Sequence, residues 1–254
     1  MNYSIAFTTI LFKEIRRFTR IWPQTLLPPA ITTALYFLIF GKLIGDRIGN
    51  VNGQSYMDYI VPGIILMSVI SHSYSNVVSS FYSTKFQRHI EELLVAPVPN
   101  FVILAGYVSG GIARGVLVGC VVAAISTFFT DIPVLHWQIA LLVFILTATL
   151  FALAGFINAV FADSFDDISI IPNFFLTPLS YLGGVFYSIS MLPEIWQTIA
   201  LGNPILYMIN AFRYGLIGVS DINIEIALVM IVGFILVLTL TALLLLYRGT
   251  GIKN

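Results

Sequence analysis

The sequence predicts an all-α integral membrane protein: six transmembrane helices, an N-terminal amphipathic helix in the interface, and short re-entrant helices between spans five and six. Three observations carry this. Hydrophobic residues fill 58% and charged residues 9% of the 254 positions, whereas a water-soluble domain carries about 25% charge because its surface must meet water. Mean hydropathy is +0.95. The apolar residues gather into six long runs, each near the ~20 residues that cross a bilayer as a helix, with turn formers and charges between them. A single transmembrane domain accounts for residues 1–254.

The first segment, 3–22, contains Lys13, Glu14, Arg16, Arg17 and Arg20 and is too charged to span. Phe7, Leu11, Ile15, Phe18 and Trp22 recur at helical steps while the basic residues take other faces, as in a helix lying among headgroups. Its charges follow the first apolar residues, the reverse of the order in a cleavable signal. Spans are expected near 24–45, 57–82, 101–129, 137–161, 169–187 and 223–247. Lys13, Arg16, Arg17, Arg20, Lys85, Arg88, Arg248 and Lys253 then fall on one side of the membrane. Lys42, Arg47 and Arg213 fall on the other, and Arg114 lies inside the third span. The positive-inside rule places both termini in the cytoplasm.

Several chemistries lack their residues. A net charge of zero leaves no electrostatic footprint for nucleic acid. His72, His89 and His136 form no HExxH, there is no GxSxG, and no upstream glycine makes a P-loop of Gly41-Lys42. No catalytic or metal-binding residue is assigned. The lone Cys120 has no internal disulfide partner. Asp58, Asp131, Asp163, Asp166, Asp167, Glu194, Asp221 and Glu225 sit at span ends or in loops. No carboxylate is read at mid-membrane, which weighs against ion coupling.

In the second span Ser68, His72, Ser75 and Ser79 recur at helical steps, with Ser71, Asn76 and Ser83 beside them. This stripe reads either as the lining of a path or as interhelical hydrogen bonding, worth about 0.6 kcal/mol per contact. In the third span Gly111, Gly115 and Gly119, with Gly106 and Gly110, allow close helix approach, within one subunit or across a dimer. Arg114 among them calls for a partner, expected to be an acid from the outer loops. The stretch from Lys85 to Pro97 suits a short helix in which Arg88 and Glu92, one turn apart, are spaced to pair. Pro172, Pro178 and Gly183-Gly184 break up span five. Met191–Trp196 and Asn203–Tyr207 are too apolar for free loops and too short to cross, so they are expected to dip into the outer leaflet, buried in protein.

With these segments in this order, the chain resembles the membrane subunits of type-2 ABC exporters, in the manner of the YadH-like inner-membrane permeases of enteric bacteria. The resemblance covers nearly the whole chain: the amphipathic N-terminal helix, the Arg88–Pro97 loop, Leu192-Pro193, Asn203-Pro204 to Arg213, and the six spans. It implies a half-transporter of the bacterial inner membrane that forms a homodimer and binds two copies of a separate ABC ATP-binding subunit. ATP and Mg would sit on that partner, with no cofactor and no enzymatic activity on this chain. It implies a coupling helix at 84–96, with Lys85, Arg88, Glu91, Glu92 and Leu93 meeting the ATPase, joined by Lys13, Glu14, Arg16 and Arg17 of the first helix. Spans two and five would face the translocation path, giving roles to Ser68, His72, Ser75, Asn76, Ser79, Asn173, Thr177, Ser180 and Tyr181. Residues 188–213 would close it. Dimer contacts through spans one and five would leave the span-three glycines to internal packing. Phe174, Phe175, Tyr181, Phe186 and Tyr187 make no dense aromatic track, so a carbohydrate is not favoured over a lipid or an amphipathic small molecule as the exported substrate. An ion- or proton-coupled carrier and a non-transport structural protein are the rival readings; neither needs an ATPase.

Overall fold

The computed structural model describes residues 3–251; Lys253, one of the basic residues counted above, lies outside them. Helix α1, Tyr3–Arg20, leads through Ile21 into α2, Trp22–Tyr36, which continues as wider π-type turns over Phe37–Ile44 and one last turn, α3, Gly45–Ile48. Strands β1, Asn50–Val51, and β2, Gln54–Ser55, pair antiparallel. Asn52 and Gly53 between them both take positive φ, as a two-residue hairpin requires. Then come α4, Tyr56–Phe86; α5, His89–Val95; α6, Asn100–Ser126; and α7, Trp137–Phe161. Next are α8, Asp167–Ile171; a π-type stretch, Pro172–Leu176; and α9, Thr177–Leu182. The chain ends with α10, Glu194–Leu201; α11, Pro204–Ile217; and α12, Ile224–Arg248.

Among the described residues five helical stretches are long and apolar enough to cross a bilayer: Trp22–Ile44, Tyr56–Phe86, Asn100–Ser126, Trp137–Phe161 and Ile224–Arg248. The stretch 167–182 is shorter, about 24 Å at the helical rise, against a hydrocarbon core of about 30 Å. Its prolines explain the irregularity, since Pro172 and Pro178 donate no backbone hydrogen bond. Thr177 Oγ1 donates instead to the Pro172 carbonyl at 3.0 Å. The stretch opens on a capping box: Asp167 accepts the N–H groups of Asp163 and Ser164 at 3.0 and 2.9 Å, and Ser164 Oγ accepts that of Asp167. Those donors hold the Asp167 carboxyl below its usual range. The box is therefore complete at neutral pH and weakens as pH falls through that lowered pKa.

Helix α4 is the central column, buried over most of its length against α6, α7 and α11. Glycine permits this closeness. A Cβ at Gly111 or Gly115 of α6 would press on the carbonyls of Ser73 or Val69 in α4, at 3.0 and 3.2 Å, and one at Gly155 of α7 would lie 2.6 Å from the Tyr74 carbonyl. The other face of α6 is also glycine-lined, with Ile10 of α1 over Gly106 and Glu14 over Gly110. Both glycine registers thus serve packing within the chain, and α1 runs alongside α6 in the same direction. The buried face of α1 is Ile10, Glu14 and Phe18. Phe7, Leu11 and Ile15 of the expected stripe lie half-buried at its flank, and Trp22 is exposed. Packing rotates the helix because Glu14 finds its partners inside, as described below.

Steric closeness at Gly155 makes a direct test. Gly155→Val should destabilise the protein by about 1–3 kcal/mol, the usual cost of overpacking. Gly233→Ala meets nothing within 4 Å in α12 and should be neutral or stabilising by up to about 1 kcal/mol. Thermal unfolding followed by size-exclusion chromatography in detergent separates the two.

Candidate functional site

A groove of about 260 Å³ runs between α2 and α4. Pro28, Pro29, Thr32, Thr33 and Tyr36 form one wall; Ile64, Met67, Ser68, Ser71 and His72 form the other. The α4 wall is polar because serines recur at helical spacing. Ser68 is bonded back to its own helix at Ile64 O, 3.2 Å, as are Ser75 and Ser79 farther along the same face, to Ser71 O at 2.5 Å and Ser75 O at 2.7 Å. Such back-bonding lets a hydroxyl face sit in a dry environment without orphaned donors. Towards the hairpin end the groove meets an aromatic cluster: Phe186 packs on Tyr36, Phe40 and Tyr181, with ring centroids 5.9, 4.8 and 6.0 Å apart.

One turn round α4, a polar latch fastens α1. Glu14, 0% exposed, accepts from Ser80 Oγ at 2.5 Å and pairs with Arg17 at 3.4 Å. Arg17 Nη2 also donates to the backbone and side-chain oxygens of Asn76, each at 2.8 Å, and Nη1 to Ser79 Oγ at 3.4 Å. The carboxylate of Glu14, within the helix packing, is thus matched by a cation on its own helix. Lys13 stays outside, over the Tyr107 ring at 5.5 Å.

At the basic end α4 stops at Phe86, turns through Gln87 and Arg88, and re-enters helix as α5. Arg88 adopts a left-handed φ of +61°, which is uncommon for a side chain with a Cβ and makes the sharp elbow. Because Arg88 lies outside the helix, the expected Arg88–Glu92 pair does not form; the ion pairs among the described residues are Arg17–Glu14 and Lys85–Asp163. Lys85 Nζ donates to the carbonyls of Val160 and Ala162 at 2.9 and 2.7 Å, closing the C-terminus of α7 where the helix dipole favours a cation. Arg88, Glu91 and Glu92 are exposed, and Leu93 is half-buried.

At the hairpin end Arg213, also 0% exposed, donates to Tyr59 O at 3.2 Å and Gly184 O at 2.6 Å and lies 3.9 Å over the Tyr59 ring. Asp221 accepts from Asn52, Tyr59, Ser188 and the Ile189 N–H. These bonds bind the hairpin, α4 and the segment 184–189 to one another.

The structure therefore divides the residues singled out from the sequence. Of the coupling set, Lys13, Arg16, Arg88, Glu91 and Glu92 are exposed and Leu93 is half-buried. Glu14, Arg17 and Lys85 are engaged in bonds within the chain. Of the path set, Ser68 and His72 line the groove, Ser75 and Ser79 continue its face and Tyr181 joins the aromatic cluster. Asn76 is buried and bonded to α1, Asn173 is exposed, Thr177 bonds its own helix and Ser180 is buried. Among the described residues Arg114 has no acid partner, contrary to expectation. Thr32, Thr33 and Tyr36 were missed; the proline pair beside two threonines in an apolar run was the available signal.

The family model for the ABC-2 type transporter matches residues 5–217. The chain is 56% identical over 252 residues to the inner membrane transport permease YadH of Escherichia coli (strain K12), covering 99% of this chain and 98% of that one. It is 24% identical over 191 residues to nodulation protein J of Rhizobium leguminosarum bv. viciae, covering 75% and 74%. It is 28% identical over 185 residues to nodulation protein J of Sinorhizobium fredii, covering 71% and 69%. The chain belongs to the ABC-2 type transporter family.

The latch gives a prediction with a built-in control. Glu14→Gln leaves Arg17 short of its counter-charge and should destabilise the protein by about 1–3 kcal/mol. Adding Arg17→Met should recover much of that loss, since breaking an internal ion pair costs more than replacing it with apolar groups. Thermal unfolding of the two single variants and the double variant measures the coupling.

Proposed function

We propose that this member of the ABC-2 type transporter family is the membrane half of an ATP-driven exporter, a homodimer that forms the translocation path and is driven by two copies of a separate ATP-binding subunit. The continuity of α4 carries this reading. One helix lines the groove with Ser68, Ser71 and His72 and ends, two residues from its last turn, in the short α5 with Arg88, Glu91 and Glu92 exposed. A push on α5 therefore reaches the groove along a single rigid element. ATP and Mg belong to the partner subunit, and this chain performs no catalysis.

The name of the Escherichia coli relative supports a bacterial inner-membrane location. On the positive-inside rule the end carrying α5 and both termini is cytoplasmic. Counting 167–182 gives six spans; α1 leads in from the inner interface alongside α6, and α10 and α11 form the re-entrant outer segment. Leu38, Ile39 and Leu43 on span one and Phe174 and Phe175 on span five are exposed apolar side chains, suited to a contact between two copies. ATP binding closes the partner subunits, α5 transmits the movement, and α4 rocks against spans one and five. The substrate leaves past Tyr181 and Phe186. Export follows the resemblance to type-2 exporters.

Purification in mild detergent with mass spectrometry tests the reading. A stoichiometric P-loop ATPase should copurify, and a clean homo-oligomer without one would favour a secondary carrier. Arg88→Glu and Glu92→Lys should lower transport about tenfold, within the usual range of coupling between sites, with unfolding temperature unchanged. Normal transport in both would sink the placement of α5. Lys85→Met, by contrast, should lower the unfolding temperature, because two α7 carbonyls lose their donor.

A further inference from the structure

Five of the seven buried side-chain atoms without a hydrogen-bond partner among the described residues lie in one region: Arg17 Nε, His72 Nδ1, Ser73 Oγ, Asn76 Nδ2 and Arg114 Nε. His72, Ser73 and Asn76 follow one another round α4, and Ser73 packs against Gly115, next to Arg114 on α6. Amide, guanidinium and hydroxyl groups all offer protons, and neutral imidazole offers one. Arg114 enters neither of the two ion pairs among the described residues and makes no hydrogen bond there. Arg17, a like charge, is within electrostatic reach of it. The nearby carboxylate, Glu14, is committed to Arg17 and Ser80. A cation held at the middle of a membrane helix is costly until an opposite charge meets it.

We propose that the groove between α2 and α4 takes the anionic headgroup of an amphiphile, a phosphate or carboxylate, held by His72 and Arg114. His72 forms part of the groove wall, and Arg114 is carried on α6 beside Gly115, which packs against Ser73, the neighbour of His72 on α4. A volume of about 260 Å³ suits a headgroup rather than a whole amphiphile. Pro28, Pro29, Ile64 and Met67 leave the rest of the lining apolar, and Leu27, Ile31 and Leu35 extend an apolar track along span one for a chain to follow. Charge complementarity selects the headgroup and the apolar track selects its carrier. The inference rests on the groove being the translocation path.

The test uses the full-length protein in nanodiscs of neutral lipid, with dioctanoyl phosphatidic acid, uncharged dioctanoylglycerol and inorganic phosphate as probes. The acid should bind at least about tenfold more tightly than the glyceride, the scale of one charge-assisted bond. Arg114→Gln should erase that preference, and Arg114→Lys should keep part of it. Without ligand, Arg114→Gln should unfold no earlier than the wild type, because no group among the described residues holds this guanidinium. Equal binding of acid and glyceride, or a preference that survives both Arg114→Gln and His72→Gln, overturns the proposal. So does an Arg114→Gln chain that fails to fold while the ligand-free wild type is stable. Inorganic phosphate that binds as tightly as the acid keeps the anion site and assigns its ligand to solution. No ATPase enters this measurement, so an absent partner subunit would sink the exporter reading and leave this result standing.

Discussion

A membrane interior supplies no water, so each polar group within it must be met by another group of the protein. That constraint places Glu14, Arg17, Lys85 and Arg213. Arg17 and Glu14 cannot lie between helices unless they meet each other and the polar edge of α4, and their bonds to Asn76, Ser79 and Ser80 fix α1 against α4. Arg213 is buried because two backbone carbonyls and an aromatic face surround it. Lys85 turns inward to two carbonyls that α7 leaves unpaired. Apart from the Glu14–Arg17 pair within α1, these bonds join elements far apart in sequence, so polar satisfaction also sets tertiary position.

Glycine supplies the complementary condition. Ser80 reaches Glu14 and Ser73 lies against Gly115 because α6 presents no side chain at Gly106, Gly110, Gly111 or Gly115. Larger residues there would move α1 and α4 outward and break the latch. The two glycine registers of α6 face different neighbours, so one helix organises packing on both sides.

The helical, membrane-spanning character was legible because it rests on composition and on runs of apolar residues, which need no knowledge of neighbours. The site was legible only in part. Ser68 and His72 stand on the groove because serine spacing reports a helix face. Asn76 stands on the same stretch yet turns to α1, and helical spacing alone does not tell which neighbour each edge of a face will meet. Glu14 and Lys85 look like surface charges in the sequence; their burial depends on Ser80, more than sixty positions away, and on the end of α7. The Arg88–Glu92 pair failed for a backbone reason, since spacing of four describes a pair only when both residues are helical.

The distribution of regularity bears on the proposed coupling. Helices α4, α6, α7 and α11 bury glycine-tight faces against one another, and Lys85 ties the end of α4 to that of α7. The stretches Trp22–Ile44 and 167–182 are different. Each contains prolines, each departs into π-type turns, and each leaves large apolar side chains uncovered. Few buried contacts and interrupted ladders mark elements that shift at low cost. A push at α5 would therefore carry α4 with α7 as one body, and the relative movement would appear at the α2–α4 groove and along 167–182. The groove is the seam between the rigid and the yielding parts of the chain. A substrate held there would feel the movement first, wherever along the basic end the force is applied.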